Sequence, residues 1–126
     1  MPNKFSIAKR VKSFQYAFRG AALMLKSQHN AWIHAIATLM VLFFGFYFDL
    51  HAAQWCMLVL AIMAVWTAEA LNTALEFLAD VASPEIHPLV EKAKDVAAGA
   101  VLISAIGAVA IAMLVLGPHF IKLICK

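Results

Sequence analysis

The chain has 126 residues, of which 64% are hydrophobic and 13% are charged. Soluble domains average about 45–50% hydrophobic and about 25% charged residues, so this composition excludes an ordinary soluble domain and indicates an integral membrane protein. The formal net charge is +3, and no RNA- or DNA-binding motif accompanies the basic residues, which excludes nucleic acid as the expected partner. This length accommodates a single domain.

The first predicted element is an amphipathic helix over residues 4–28. Apolar residues recur in it at spacings of three and four residues, the period of a helix with one apolar face; they are Ile7, Val11, Phe14, Phe18, Ala21 and Leu25. Lysines and arginines occupy the other faces, a pattern typical of a helix that lies in the membrane interface. A helix packed on a partner protein is the alternative.

Three apolar spans follow, at residues 31–48, 52–79 and 96–124. Each reaches the roughly 17–25 residues that a helix needs to cross the hydrocarbon core of a bilayer. The connection at 49–51 is very short, which makes the first two spans an antiparallel pair. The second connection, 81–95, is longer and contains two X-Pro steps that disfavour helix. The sequence thus predicts an all-α integral membrane fold, with three transmembrane helices and the N-terminal interfacial helix forming one domain over residues 1–126.

The distribution of cations predicts the orientation. Six of the ten Lys and Arg residues precede the first span, two lie in the second connection and two near the C-terminus. The positive-inside rule places the N-terminus and the second connection in the cytoplasm.

Three spans form a thin bundle for housing polar groups, which favours a homo-oligomer. Small residues recur at every fourth position of the third span, at Ala100, Ser104, Ala108 and Ala112. Such a row lets helices approach closely. Packing within one subunit is the alternative.

The most informative polar residues lie inside the second span, in the segment EALNTALEFLAD. Glu69, Asn72, Glu76 and Asp80 lie at offsets of 0, 3, 7 and 11, so at about 100° per residue they share one helix face, which we call the polar stripe. Carboxylates in a membrane helix are costly unless they are paired, metal-bound or hydrated, which marks a functional site. Glu69 lies deepest along the stripe, a position that suits a proton-abstracting base.

Six of the seven acidic residues lie between positions 69 and 95, and the second connection ends in EKAKD. Phosphoryl transfer from a nucleotide uses carboxylates to hold Mg²⁺, a lysine to neutralise the phosphate and a base to orient the attacking hydroxyl. The sequence has no GxxxxGK[ST] loop, which excludes a standard P-loop fold. A proton or cation pathway also uses intramembrane carboxylates, so the residues alone leave a kinase and a channel open.

The segment EALNTALEFLAD, followed by KAKDVAAGAV, resembles the signature of the prokaryotic diacylglycerol kinase family, whose small three-span membrane enzymes include the undecaprenol kinases. The resemblance covers residues 14–116, and the SPEIHP and SFQYAFRG segments are more similar to the undecaprenol-kinase branch. It implies an ATP-dependent lipid kinase that acts on a membrane lipid alcohol with Mg²⁺ as cofactor. It also implies a homotrimer with active sites between subunits, in the bacterial cytoplasmic (inner) membrane.

The resemblance also implies roles for individual residues. Glu69 matches the general base that acts on the lipid hydroxyl, and Glu76 matches a carboxylate that binds the Mg²⁺ accompanying ATP. The other matches contact the nucleotide, line its site or support it; they are Lys94 and Asp95 at the phosphates, Tyr16, Glu85 and His87 around the nucleotide, and Asn72 and Asp80 as supporting polar residues.

One position departs from the family pattern. A second metal-binding glutamate usually precedes the first span, and this chain has Gln28 there, in SQHNAWIH. An amide offers Mg²⁺ a carbonyl oxygen without charge, so weaker metal binding by Gln28 at the ATP site, a different metal arrangement and a non-catalytic assembly or regulatory relative stay open. Nearby, His34 is interpreted as a hydrogen-bonded residue of the membrane interface rather than as a metal ligand.

Overall fold

The computed structural model describes residues 4–126, and residues 1–3 of the predicted domain lie outside the described part. Four helices follow one another: α1 (Ile7–Ser27), α2 (His29–Tyr47), α3 (Ala52–Ala82) and α4 (Pro88–Ile124). Helices α2, α3 and α4 are long and apolar enough to cross a membrane. The prediction of an all-α membrane fold with three transmembrane helices after an amphipathic helix is confirmed.

Helix α1 begins after Ser6, whose hydroxyl accepts a hydrogen bond from the Lys9 backbone N–H at 3.4 Å. The apolar residues of α1, such as Phe14 and Phe18, are exposed. An apolar face that the chain itself leaves uncovered fits a helix immersed in the lipid interface.

Gln28 is the single residue between α1 and α2, and its backbone is extended, with φ −120° and ψ 119°. Its N–H still bonds to the Met24 carbonyl, which closes the last turn of α1. The extended backbone turns the chain at this corner and, as described below, brings the Gln28 side chain to α3.

The turn between α2 and α3 is tight. Asp49 has φ 53°, in the left-handed region, which aspartate tolerates better than most non-glycine residues. His51 is the N-cap of α3, and its backbone N–H donates a hydrogen bond of 3.4 Å to Gln54 Oε1, as in one half of a capping box. Nearby, a Cβ on Gly45 would lie 2.5 Å from a ring carbon of Trp55, so any larger residue here would force the Trp55 ring to shift.

The buried apolar core lies at the same end of the bundle. Leu50, Leu58, Val115 and Leu116 form it, and three phenylalanines pack around it: Phe44, Phe48 and Phe120. The Phe120 ring centroid lies 4.9 Å from the centroids of both Phe44 and Phe48, in edge-to-face arrangements. We call this region, with Gly45 and Trp55, the aromatic end.

The opposite end differs from the prediction in the second connection. Helix α3 continues to Ala82 and α4 already begins at Pro88, so most of the predicted connection over residues 81–95 is helical and only residues 83–87 separate the two helices. His87 caps α4 by accepting a hydrogen bond from the Leu89 N–H at 3.2 Å, and Pro88 stands in the first turn, where its missing N–H costs nothing. The first turns of α4 are polar and precede the apolar span at 96–124, so hydropathy did not reveal that they are helical.

Candidate functional site

The polar stripe of α3 runs from a buried end to an exposed end. Glu69 is 0% exposed, Asn72 is 6% exposed and the neighbouring Thr73 is 4% exposed. Glu76 is half-buried and Asp80, in the last turn of the stripe, is exposed. A buried carboxylate in an apolar helix is costly, so Glu69 is the stripe residue whose placement most needs explanation.

The middle of the stripe contacts the corner between α1 and α2. The Gln28 side-chain amide donates a hydrogen bond of 2.7 Å to Glu76 Oε2, and the Asn72 amide donates one of 3.4 Å to Glu76 Oε1. Both carboxylate oxygens of Glu76 therefore accept from neutral amides. Asn72 Oδ1 is buried and has no hydrogen-bond partner within residues 4–126.

The deep end of the stripe contacts a residue of α2 that the sequence did not assign to the site. His34 Nε2 lies 3.3 Å from Glu69 Oε2, whereas the Thr73 hydroxyl bonds to the Glu69 backbone carbonyl. The interpretation of His34 as an interface residue missed this contact. The single histidine of the first apolar span and the deepest glutamate of the next, antiparallel span were the available signal.

The exposed end of the stripe pairs with α4. Lys94 Nζ donates a hydrogen bond of 2.8 Å to Asp80 Oδ1, and the Lys94 side chain is 38% exposed. This hydrogen bond raises the pKa of Lys94 above its ordinary value of 10.5, and the charges of Asp80, Glu76 and Glu91 act in the same direction. Lys94 therefore carries its positive charge close to the polar stripe.

The remaining predicted residues surround the connection at 83–87. Glu85, His87 and Asp95 line a depression there together with Asp80 and Lys94. Tyr16 is separate: it is exposed on α1, where the Arg19 guanidinium carbon lies 5.7 Å from its ring centroid. No hydrogen bond joins Tyr16 to the other candidates within the described part of the chain.

The arrangement comprises a buried carboxylate, a half-buried carboxylate on the same face and a lysine beside the open end of that face. The first element can accept a proton away from water, and the other two can hold a charged ligand that arrives from the aqueous side. The stripe therefore has one end buried in the bundle and one end exposed, an arrangement that suits a reaction between a membrane molecule and a soluble one.

Comparisons with known proteins identify the family of this chain. Residues 15–116 match the family described as prokaryotic diacylglycerol kinase. The undecaprenol kinase of Bacillus subtilis is 37% identical over 107 residues, which cover 85% of this chain and 87% of that protein. A diacylglycerol kinase of Synechocystis is 37% identical over 112 residues, covering 88% of this chain and 64% of that protein.

The diacylglycerol kinase of Escherichia coli K12 is 30% identical over 121 residues, covering 90% of this chain and 99% of its own length. Both the family match and these relatives extend over most of the described helices, including the whole polar stripe. The chain therefore belongs to the prokaryotic diacylglycerol kinase family and is a membrane lipid kinase.

Proposed function

We propose that this protein transfers the γ-phosphate of ATP to the hydroxyl of a membrane lipid alcohol, with undecaprenol favoured over diacylglycerol. The observation that carries the proposal is the fully buried Glu69 on the same helix face as Glu76. The family supports the reaction class. The preference for undecaprenol is supported by the SPEIHP and SFQYAFRG segments and by the undecaprenol kinase among the relatives.

In the proposed reaction Glu69 is the general base. Both of its carboxylate oxygens are buried and lack a hydrogen-bond partner among the described residues, so they are available to a hydroxyl that arrives from the bilayer. The hydroxyl proton passes to Glu69 as the lipid oxygen attacks the γ-phosphorus. The bond between that phosphorus and the bridging oxygen breaks, and ADP leaves with the electron pair.

Glu76, Lys94 and Asp95 are the residues proposed to hold Mg·ATP. Glu76 lies two helical turns beyond Glu69 on the same face, a rise of about 10 Å, so the phosphate chain of a nucleotide held at Glu76 would have to extend along this face towards Glu69. Lys94 bonds to Asp80, one turn beyond Glu76. Exchange of Asp80 for a phosphate oxygen would let Lys94 stabilise the transferring charge.

The groups at and around Glu76 match the ligand types that Mg²⁺ prefers. They are a carboxylate, the Gln28 amide and the unpartnered Asn72 Oδ1, and Mg²⁺ prefers oxygen ligands, of which nucleotide phosphates and waters supply the rest. Within residues 4–126 no group of three or more His, Cys, Asp or Glu side chains could hold a metal by itself, which suits a metal that arrives with ATP. Bound there, Mg²⁺ would neutralise charge on the phosphate oxygens. Gln28 would have to rotate its amide so that oxygen faces the metal, since its nitrogen faces Glu76.

The assembly we propose is a homotrimer in the bacterial inner membrane, with the N-terminus in the cytoplasm. Large apolar side chains of the transmembrane helices, such as Leu60 and Met63, are exposed, and they line a groove with Asn72. A neighbouring subunit would cover this groove and seclude the stripe. Native mass spectrometry from detergent tests the stoichiometry, and a mass of one or two chains would overturn the trimer.

A non-catalytic relative is the second candidate, favoured by one observation. Gln28 stands where the family has a glutamate. Its neutral amide donates a hydrogen bond to Glu76 and adds no second negative charge that could bind a cation. Such a protein would bind lipid or a partner without turning over ATP.

The decisive experiment offers undecaprenol and diacylglycerol in parallel mixed micelles to purified protein with ATP labelled in the γ-phosphate and saturating Mg²⁺. Our proposal predicts labelled lipid phosphate, more from undecaprenol. A preference for diacylglycerol would overturn the substrate assignment alone. No labelled lipid from either alcohol, in folded protein, would overturn the kinase function and favour the non-catalytic relative.

A further inference from the structure

We propose that His34 is a positioning residue for Glu69: the imidazole Nε2 holds the carboxylate in the orientation that receives the proton of the lipid hydroxyl. This role rests on the proposed function, in which Glu69 is the base. The two side chains come from different transmembrane helices, α2 and α3, and are 14% and 0% exposed, with Nε2 and Oε2 3.3 Å apart. Their contact therefore links the two helices inside the bundle.

Glu69 needs such a partner because of its burial. An ionised carboxylate that leaves water is costly unless a donor or a positive charge faces it. Among the described residues His34 is the only side chain paired with Glu69. The nearest polar side chains on α3 are directed elsewhere, since Asn72 donates to Glu76 and Thr73 donates to a backbone carbonyl.

Thr38 and Trp66 contact His34 and each other. The Thr38 hydroxyl donates to the His34 backbone carbonyl at 2.7 Å and accepts a hydrogen bond of 3.0 Å from Trp66 Nε1. The Trp66 ring then packs edge-to-face on the His34 ring, with centroids 6.2 Å apart. Because Trp66 precedes Glu69 by one turn of α3, the same pair of helices fixes both the imidazole and the carboxylate.

The surroundings leave the imidazole few polar alternatives. His34 and Thr38 are the polar residues that line a cavity of about 240 Å³ between α2, α3 and α4, whose other lining residues are apolar. The Thr38 hydroxyl is already engaged on both sides. In such an apolar site a hydrogen bond is electrostatically stronger than in water, so the pair with Glu69 is the interaction through which His34 would act.

The pairing would set the orientation of the Glu69 carboxylate when the lipid hydroxyl transfers its proton. His34 Nε2 and Glu69 Oε2 are close but out of line for a hydrogen bond, and catalytic hydrogen bonds often tighten only when substrate is bound. A small rotation would let Nε2–H donate to Oε2 and would leave Oε1 for the lipid hydroxyl. Without this donor the carboxylate is free to turn, and a misplacement of about 1 Å costs a rate factor of about 100.

The test compares His34→Leu, which removes the donor, with His34→Gln, whose side-chain nitrogen can occupy the place of Nε2. We expect kcat for His34→Leu to fall about 100-fold while the KM for ATP stays unchanged, and the thermal midpoint to fall because the buried Glu69 carboxylate loses its partner. His34→Gln should recover most of the lost kcat. The matched control is His119→Leu, the same replacement at the aromatic end, where His119 stacks on Phe48, and it should keep wild-type kcat.

A wild-type kcat in His34→Leu would overturn the role, and so would folded His34→Gln that is as slow as His34→Leu. Should the leucine variant fail to fold, the glutamine variant and a second readout decide. In 15N NMR of histidine-labelled protein, the His34 Nε2 resonance should shift on Glu69→Gln, and an unchanged resonance would overturn the pairing whatever the activity. Wild-type protein that phosphorylates neither lipid would instead overturn the proposed function, so the two failures are distinguishable.

Discussion

The aromatic end of the bundle and the region that contains the polar stripe, which we call the polar end, are stabilised in opposite ways. At the aromatic end, Leu50 and Leu58 are buried among aromatic rings, and Trp55 packs so closely on Gly45 that a side chain there would force the ring to move. At the polar end, Glu69 Oε1 and Asn72 Oδ1 are buried without a hydrogen-bond partner in the described residues. The aromatic end is packed by contacts within a single chain. The polar end retains buried polar atoms without hydrogen-bond partners in the described residues, which a substrate, a metal or a second subunit can bind.

This difference separates stability from function along the same helices. Close packing of apolar groups stabilises the fold and has no chemistry of its own. Buried polar groups that lack partners cost stability, and proteins tolerate them mainly at functional sites. Variants at the two ends should therefore affect different measurements.

The largest effect is expected at Glu69. Glu69→Gln should lower lipid phosphorylation by about 100- to 10,000-fold, the usual contribution of a general base. Its thermal midpoint should stay level or rise, because the change removes a buried ionisable group. Asp49→Asn is the matched control, since it makes the same carboxylate-to-amide change in the turn at the aromatic end. Equal losses of turnover in both variants would contradict the separation.

The reverse effect is expected at Gly45. Gly45→Ala forces the Trp55 ring to move, because the new Cβ would lie 2.5 Å from it, and we expect a loss of about 1–3 kcal/mol of stability. Turnover per folded molecule should not change. The control is Gly20→Ala in α1, where a Cβ meets nothing within 4 Å and alanine favours the helix. Thermal unfolding in detergent measures both, and an unaltered midpoint for Gly45→Ala would show that the contact is not tight.

A smaller effect is expected at Gln28. Gln28→Glu places a second carboxylate against Glu76, 2.7 Å away in the present hydrogen bond, and the added charge should lower the Mg²⁺ concentration for half-maximal activity about tenfold. Without Mg²⁺ the two charges should repel and lower the thermal midpoint. Gln54→Glu at the aromatic end should leave the Mg²⁺ dependence as it is. An unchanged Mg²⁺ requirement in Gln28→Glu would place the metal away from Glu76.

The smallest effect is expected from the pair between Lys94 and Asp80. Because the pKa of Lys94 is raised in the folded state, its contribution to stability is complete below pH 10.5 and is lost as the pH rises through the raised value. Asp80→Asn should therefore unfold at a slightly lower temperature than wild type near neutral pH, and the difference should vanish at strongly alkaline pH. A difference that grows with pH would contradict the pairing.

The sequence predicted those features that depend on one helix at a time. The period of α3 predicted that Glu69, Asn72 and Glu76 share a face, and hydropathy predicted three spans. It did not predict that α4 begins at Pro88, because four of residues 91–95 are charged and hydropathy does not distinguish a polar helix from a loop. Nor could it predict the contact of His34 with Glu69, which depends on the rotation and register of α2 against α3.

The most direct test of the central claim locates the lipid hydroxyl. A lipid alcohol that carries a photoreactive diazirine beside its hydroxyl should, after irradiation and proteolysis, label the α3 peptide that contains Glu69, and excess unmodified lipid should prevent this labelling. Peptides from the aromatic end around Gly45 and Trp55 should stay unlabelled. Competable labelling at the aromatic end, with none at Glu69, would contradict the claim that the polar end of the bundle is the site of phosphate transfer.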